Sequence, residues 1–135
     1  MANVNFTQGL KLVGDRASGV AGASPAIAGM SVDDNTSFTN TDTSCSSTGG
    51  TPLNFQGNPL DSTPVGGAAA TPYVVSHVMT LTTAQYNSKV VKRIAVHSTN
   101  APTASSATLA FGVDGLSLTK QSSFSLVTTF KLSYT

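Results

Sequence analysis

Hydrophobic and polar residues alternate most cleanly at the C-terminal end of the chain. Phe124, Leu126, Thr128, Phe130, Leu132 and Tyr134 interleave with Ser125, Val127, Thr129, Lys131, Ser133 and Thr135. A period of two over this length predicts a β-strand with one apolar and one polar face. Upstream, Val75, His77, Met79 and Leu81 share one face of a second strand, and Val74, Ser76, Val78, Thr80 and Thr82 share the other. Both faces carry apolar residues, as in a strand between two layers. Val90 to His97 predicts a further strand with Ile94 and Val96 at its core, and Thr108 to Val113 another with Leu109, Phe111 and Val113 on one side. Asp114-Gly115 lies between Val113 and Leu116-Ser117-Leu118. An Asp-Gly pair flanked by apolar residues predicts a type I′ hairpin turn, which needs positive φ at both central positions.

The N-terminal half is patterned differently. Val4 and Phe6 alternate, as do Leu10 and Leu12, with Gly9 between the two pairs, which predicts a short strand bent or bulged at Gly9. Gly14 to Gly29 is mostly Gly, Ala and Ser, so residues 1–30 read as an extended Gly/Ala-rich arm. Asp33, Asp34, Asn35, Asn40 and Asp42 stand among Ser and Thr in residues 31–48, a composition suited to caps and turns. Residues 49–72 carry Gly49-Gly50, Pro52, Gly57, Pro59, Pro64, Gly66-Gly67 and Pro72, which predicts a long loop. No helical periodicity of useful length and no internal repeat is evident. Short strands separated by turn signals predict an all-β protein: a β-sandwich or jelly-roll-like antiparallel fold over residues 31–135, with an extended N-terminal arm over 1–30. The Asp114-Gly115 hairpin, the Val90–His97 strand and the final strand are expected to form a compact C-terminal unit that folds by itself.

Composition strengthens the β assignment and bounds the function. The 135 residues include Thr (19) and Ser (18) in abundance, and all six acidic residues are Asp, so Glu, a good helix former, is absent. Charged residues make up 10%, against about 25% in an ordinary soluble domain. A net charge of +1 gives no electrostatic reason to expect nucleic acid or an anionic membrane as a partner. The adjacent Lys92 and Arg93 face opposite ways if they lie in a strand. Cys45 is the single cysteine and forms no internal disulfide. The N-terminus has no apolar stretch of signal-peptide type, so assembly in a cytoplasm is expected. A β protein with so few charges exposes adhesive edges unless it assembles into something larger.

Candidate chemistry is thin. Asp33, Asp34, Asn35 and Asp42 lack the spacing, central Gly and closing Glu of an EF-hand loop. His77 and His97 sit within strand patterns, and a metal between them requires that their strands be neighbours. No Gly-x-Ser-x-Gly elbow presents a nucleophile, and Cys45 has no evident activating neighbour. Tyr73, Tyr86 and Tyr134 are the available platforms for a carbohydrate-binding module, and the chain has no Trp. No enzymatic activity, metal, cofactor or small-molecule substrate is expected.

Several stretches carry a resemblance: Tyr86-Asn87; Val90-Val91-Lys92-Arg93-Ile94-Ala95-Val96-His97; Phe111-Gly112-Val113-Asp114-Gly115; Leu118-Thr119-Lys120; and the alternating final strand. Preceded by the Asp/Thr/Ser segment Ser31 to Ser44, this arrangement is similar to small structural proteins of tailed bacteriophages, over about residues 31–135. The resemblance implies a virion building block without a catalytic site, assembled with major capsid or tail proteins and with copies of itself. A capsid decoration or cement protein is the first expectation, and a tail, collar or fibre-attachment component the second. The apolar residues outside the C-terminal unit are then the expected partner contacts: Val4, Phe6, Leu10, Leu12, Ile27 and Met30 in the arm, and Leu53, Phe55 and Leu60 in the long loop.

Overall fold

The computed structural model describes residues 2–19, 26–47, 49–64 and 73–134. The fold is all-β and antiparallel, with one short helix. A five-stranded sheet has the order β1-β7-β6-β2-β3, formed by β1 (Ala2–Asn5), β7 (Leu109–Asp114), β6 (Arg93–His97), β2 (Gly29–Asp33) and β3 (Phe55–Pro59). A two-stranded ribbon pairs β4 (Tyr73–Leu81) with β9 (Leu126–Tyr134), and a smaller one pairs β5 (Lys89–Val91) with β8 (Leu118–Lys120).

The long ribbon packs over one face of the sheet. Its register sets Leu81 opposite Leu126, Met79 opposite Thr128, His77 opposite Phe130 and Val75 opposite Leu132. Residues directly opposite in an antiparallel pair share a face, so the apolar stripes of β4 and β9 coincide. Met79, Leu81, Phe130 and Leu132 meet Met30 and Val32 of β2, Val96 of β6 and Phe111 of β7 in the main core. The opposite face of the sheet holds a second core, in which Phe6, Phe38, Cys45, Ala95 and Leu109 are buried. Phe6 and Phe38 meet edge-on, 5.1 Å between ring centres, a favoured aromatic geometry. The chain between β2 and β3 covers this second face.

Residues 7–18 form the helix α1 (Thr7–Ser18) rather than a bent strand. Its buried contacts fall to Phe6 at the N-cap, Gly9 and Val13, a helical spacing whose second position has no side chain. That gap hid the period. Gly9 is there because α1 lies directly on β7: a Cβ added at Gly9 meets the Ala110 carbonyl oxygen at 1.9 Å. The helix closes on Gly19 in the left-handed conformation, its N–H bonded to the Asp15 carbonyl.

Other expectations are corrected. The extended arm is not what residues 2–19 and 29–30 form: they belong to β1, α1 and β2, while 20–25 lie outside the described residues. Ser31 to Asp33 belong to a fully buried central strand, not to a turn segment. Asp114-Gly115 makes no hairpin. Only Gly115 of the pair has positive φ, β7 pairs with β1 and β6, and β8 pairs with β5. The Asp114 carboxylate instead accepts the Phe38 N–H at 2.9 Å. The single strand expected over Val90–His97 is two, β5 and β6, interrupted at Lys92 and paired in different sheets. Strands β9 and β6 pair with β4 and β2, which lie outside the expected C-terminal unit.

The two helical glycines give a paired prediction. Gly14 has open space around it, whereas Gly9 does not. Gly14→Ala should stabilise by up to about 1 kcal/mol through helix propensity. Gly9→Ala should destabilise despite the same propensity gain. Urea unfolding of both variants checks this, and equal effects would exclude the close approach of α1 to β7.

Candidate functional site

The side chains that could carry chemistry gather beneath the loop that follows β2. Register places Asp33 of β2 directly opposite Arg93 of β6, both pointing to the second core. Arg93 Nε donates to Asp33 Oδ1 at 2.7 Å and Nη2 to Oδ2 at 2.9 Å, a bidentate pair. The same guanidinium donates from Nη1 to the Ser37 carbonyl at 2.8 Å and from Nη2 to the Cys45 carbonyl at 2.7 Å. Its carbon lies 4.0 Å from the centre of the Phe38 ring. Nearby, Ser31 Oγ and His97 Nε2 are 2.7 Å apart, His97 Nδ1 and Thr108 Oγ1 are 3.3 Å apart, and Cys45 Sγ lies 3.7 Å from Ser31 Oγ.

Serine, histidine and aspartate are therefore close together without forming a triad. The group on His97 Nδ1 is a threonine hydroxyl, and the carboxylate of Asp33 is held by Arg93. Ser31, Cys45, Arg93 and His97 are each 0% exposed. A nucleophile needs an approaching substrate, and these side chains have no solvent exposure among the described residues. Burial lowers the pKa of His97 to about 4 and raises that of Cys45 to about 12, the Asp33 charge adding to the latter. A neutral imidazole and a protonated thiol suit a packed polar core.

The two histidines do not meet. His97 lies on the second-core face of the sheet, while His77 lies on the ribbon that packs over the other face, its Nδ1 3.4 Å from the Phe130 carbonyl oxygen. Among the described residues no three His, Cys, Asp or Glu side chains are grouped to hold a metal. Tyr86 is buried in the main core with its hydroxyl donating towards the Asn54 and Val90 carbonyls, so it offers no stacking face.

The nine expected contact residues disperse. Phe6 and Met30 are fully buried within the chain's own two cores and are thus not available to a partner, which corrects their assignment. Ile27 and Leu60 are half-buried against the main core, and Val4 and Phe55 against the second. Leu12 lines a shallow groove beside α1 with Gln8 and Lys11. Leu10 on α1 and Leu53 in the loop before β3 stay exposed, at 58% and 94%. The long loop expected over 49–72 is corrected: Phe55–Pro59 within it form β3, whose backbone pairs with β2, and residues 65–72 lie outside the described residues.

A further open feature is one the sequence did not suggest. The ribbon and the sheet are joined along one side and left apart along the other. On the joined side, Val78 accepts the Asp61 N–H at 2.9 Å, and Thr80 donates its N–H to the Asp61 carboxylate and accepts from Asn58 Nδ2, both at 3.0 Å. On the far side, the edges of β1 and β9 flank a cleft of about 500 Å³ lined by Asn3, Asn5, Val113, Thr129, Phe130, Lys131, Leu132 and Ser133.

Among the described residues both edges are unpaired, and their orientation follows from the pairing on the inner sides. Antiparallel backbones alternate direction from residue to residue. Since Val78 and Thr80 face away from β9, their partners Thr129 and Val127 face away from β4, together with Lys131 and Ser133. In β1, the Phe6 N–H reaches the Ala110 carbonyl of β7, so Asn5 and Asn3 face outward. The cleft therefore offers backbone donors and acceptors on both walls, with Val113, Phe130 and Leu132 lining it between them.

His97 gives a pH-dependent prediction. Its folded pKa lies below its ordinary value of 6.5. The unfolded chain therefore binds a proton there first as pH falls, and stability present above pH 6.5 is lost down to about pH 4. At about 1.4 kcal/mol per unit, the loss from this group is about 3 kcal/mol. His77 is shifted the same way by burial. Urea unfolding across this range should show the acid loss in the wild type and a clearly flatter profile in His97→Gln; an unchanged profile would assign the loss to other groups.

A scan of protein-family models and searches of curated proteins and of solved structures found no match to this chain.

Proposed function

We propose that the chain is a non-enzymatic structural protein of a tailed-phage virion, a decoration or cement protein that stabilises neighbouring capsid subunits. The observation that carries this reading is the open side of the fold, where two strand edges, unpaired among the described residues, flank a partly apolar cleft. Free β edges are adhesive, and proteins that work as monomers cover, shorten or charge them. Here Lys131 is the one charged residue lining the cleft. An assembly in which neighbours cover that side accounts for the edges and for a chain with only 10% charged residues. Burial of Ser31, Cys45 and His97 supports a role without catalysis, and the resemblance across residues 31–135 supplies the kind of particle.

Quantitative mass spectrometry of purified particles, from a phage whose genome encodes this chain, tests the reading. The chain is expected in stoichiometric amounts relative to the major capsid protein. Its absence, or its presence only in traces, would overturn the proposal.

A further inference from the structure

We propose that two copies of this chain join through the β1–β9 side, so that β9 pairs with β9 and β1 with β1 across a twofold axis. This deepens the assembly reading, on which it rests, by naming the surface and its occupant. An isologous contact requires a patch that complements itself. The open side meets that requirement in three ways.

Its hydrogen-bonding groups are the first. Val127, Thr129, Lys131 and Ser133 turn their backbone away from β4, and Asn3 and Asn5 turn theirs away from β7. An antiparallel strand is the natural partner for each edge, and antiparallel pairing of a strand with its own copy is what a twofold axis generates. Because both layers end on the same side, one axis perpendicular to them continues the ribbon and the sheet together. The ribbon becomes β4-β9-β9-β4, and the five-stranded sheet gains a β1–β1 seam.

The cleft lining is the second. Val113, Phe130 and Leu132, which lie between the two edges, face the same three residues of the second copy once the edges pair. A lone peptide strand added to one of the two edges would leave the other edge and its own far edge unpaired. A second copy supplies one edge for each.

Charge is the third. Lys131 is the charged residue on the cleft, and like charges directly opposite destabilise a strand pair. A register centred on Thr129 sets each Lys131 against Val127 of the second copy. Val127 is 59% exposed in the single chain, and Thr129 then stands opposite its own copy. The register centred on Lys131, which opposes the two ammonium groups, is disfavoured.

Sedimentation equilibrium of the purified chain, from micromolar to millimolar concentration, should show a monomer–dimer equilibrium. Amide exchange followed by NMR locates the contact. Thr128, Phe130 and Leu132 bond to β4 and should be protected at every concentration. Val127, Thr129, Lys131, Asn3 and Asn5 should gain protection only as dimer forms. Thr129→Pro deletes an outward N–H without touching the β4–β9 ladder, and should weaken dimerisation at least ~tenfold. Should that variant fail to fold, the exchange pattern of the wild type decides. A chain that is monomeric throughout, or a dimer whose β1 and β9 edges exchange freely, would overturn the proposal. Virions that contain the chain although it is monomeric in solution would overturn this contact and leave the particle reading standing. A dimer absent from particles would do the reverse.

Discussion

Arg93 is the interaction on which the rest of the structure depends. It sits at the middle of the five-stranded sheet with no exposure, where a bare guanidinium would be strongly disfavoured by desolvation. Every favourable contact it makes therefore has to be present together. Asp33 neutralises it from the next strand, while the Ser37 and Cys45 carbonyls take further N–H groups. The last two belong to the loop after β2, so the charge at the sheet's centre is satisfied only when that loop closes over it. Phe38, from the same loop, lies against the guanidinium and against Phe6, whose backbone leads into α1. One side chain thus ties β2, β6, the covering loop and the start of the helix into one arrangement. The net stabilisation from a buried ion pair is small, but loss of one partner is expensive, about 3–5 kcal/mol. Its effect is to select this arrangement over other packings of a loop made largely of Ser, Thr, Asn and Gly.

The same arrangement explains what could be read in the sequence. Strands β4 and β9 were legible because each has one face on the main core and the other towards solvent, so Val75, His77, Met79 and Leu81 alternate visibly, as do Leu126, Phe130 and Leu132. Strands β6 and β7 were legible from their apolar content. Strand β2 was not, because it is buried on both faces, and its second face is occupied by Ser31 and Asp33, polar residues that in isolation signal turns. Only their partners, His97 and Arg93, more than 50 residues along the chain, make those residues core. Helix α1 was hidden for a different reason. Its contact with β7 is made by backbone at Gly9, and a contact without a side chain leaves no mark on a hydrophobic pattern. The Asp114-Gly115 signal misled because Asp114 satisfies Phe38 instead of turning a hairpin.

The candidate surface was illegible for a reason of its own. An open edge is a property of what fails to pair, and most pairing here joins strands that are not consecutive in the chain: β1 joins β7, β2 joins β6, β4 joins β9, and β5 joins β8. Apolar residues outside the clear strands looked like spare contacts for a partner, yet Phe6 and Met30 are consumed by the chain's own cores. What the fold leaves unspent is backbone, which no side-chain count registers.

The two sides of the fold make this asymmetry physical. Along β3 and β4, Asp61 and Asn58 reach the outward N–H and C=O groups of β4 and hold the ribbon to the sheet. A short carboxylate and an amide serve as substitutes for a missing strand. Along β1 and β9 the corresponding side chains are Asn3, Asn5, Thr129, Lys131 and Ser133, of which none bonds across the cleft among the described residues. Polar groups of the right kind are present on both sides, so composition does not account for the difference. Closing one side fixes the spacing between the layers, and that spacing holds the other two edges at the same flank of the molecule. The bridge at Asp61 thereby holds the edges of β1 and β9 in a fixed relation to each other, with the layer spacing set by contacts on the opposite side of the fold.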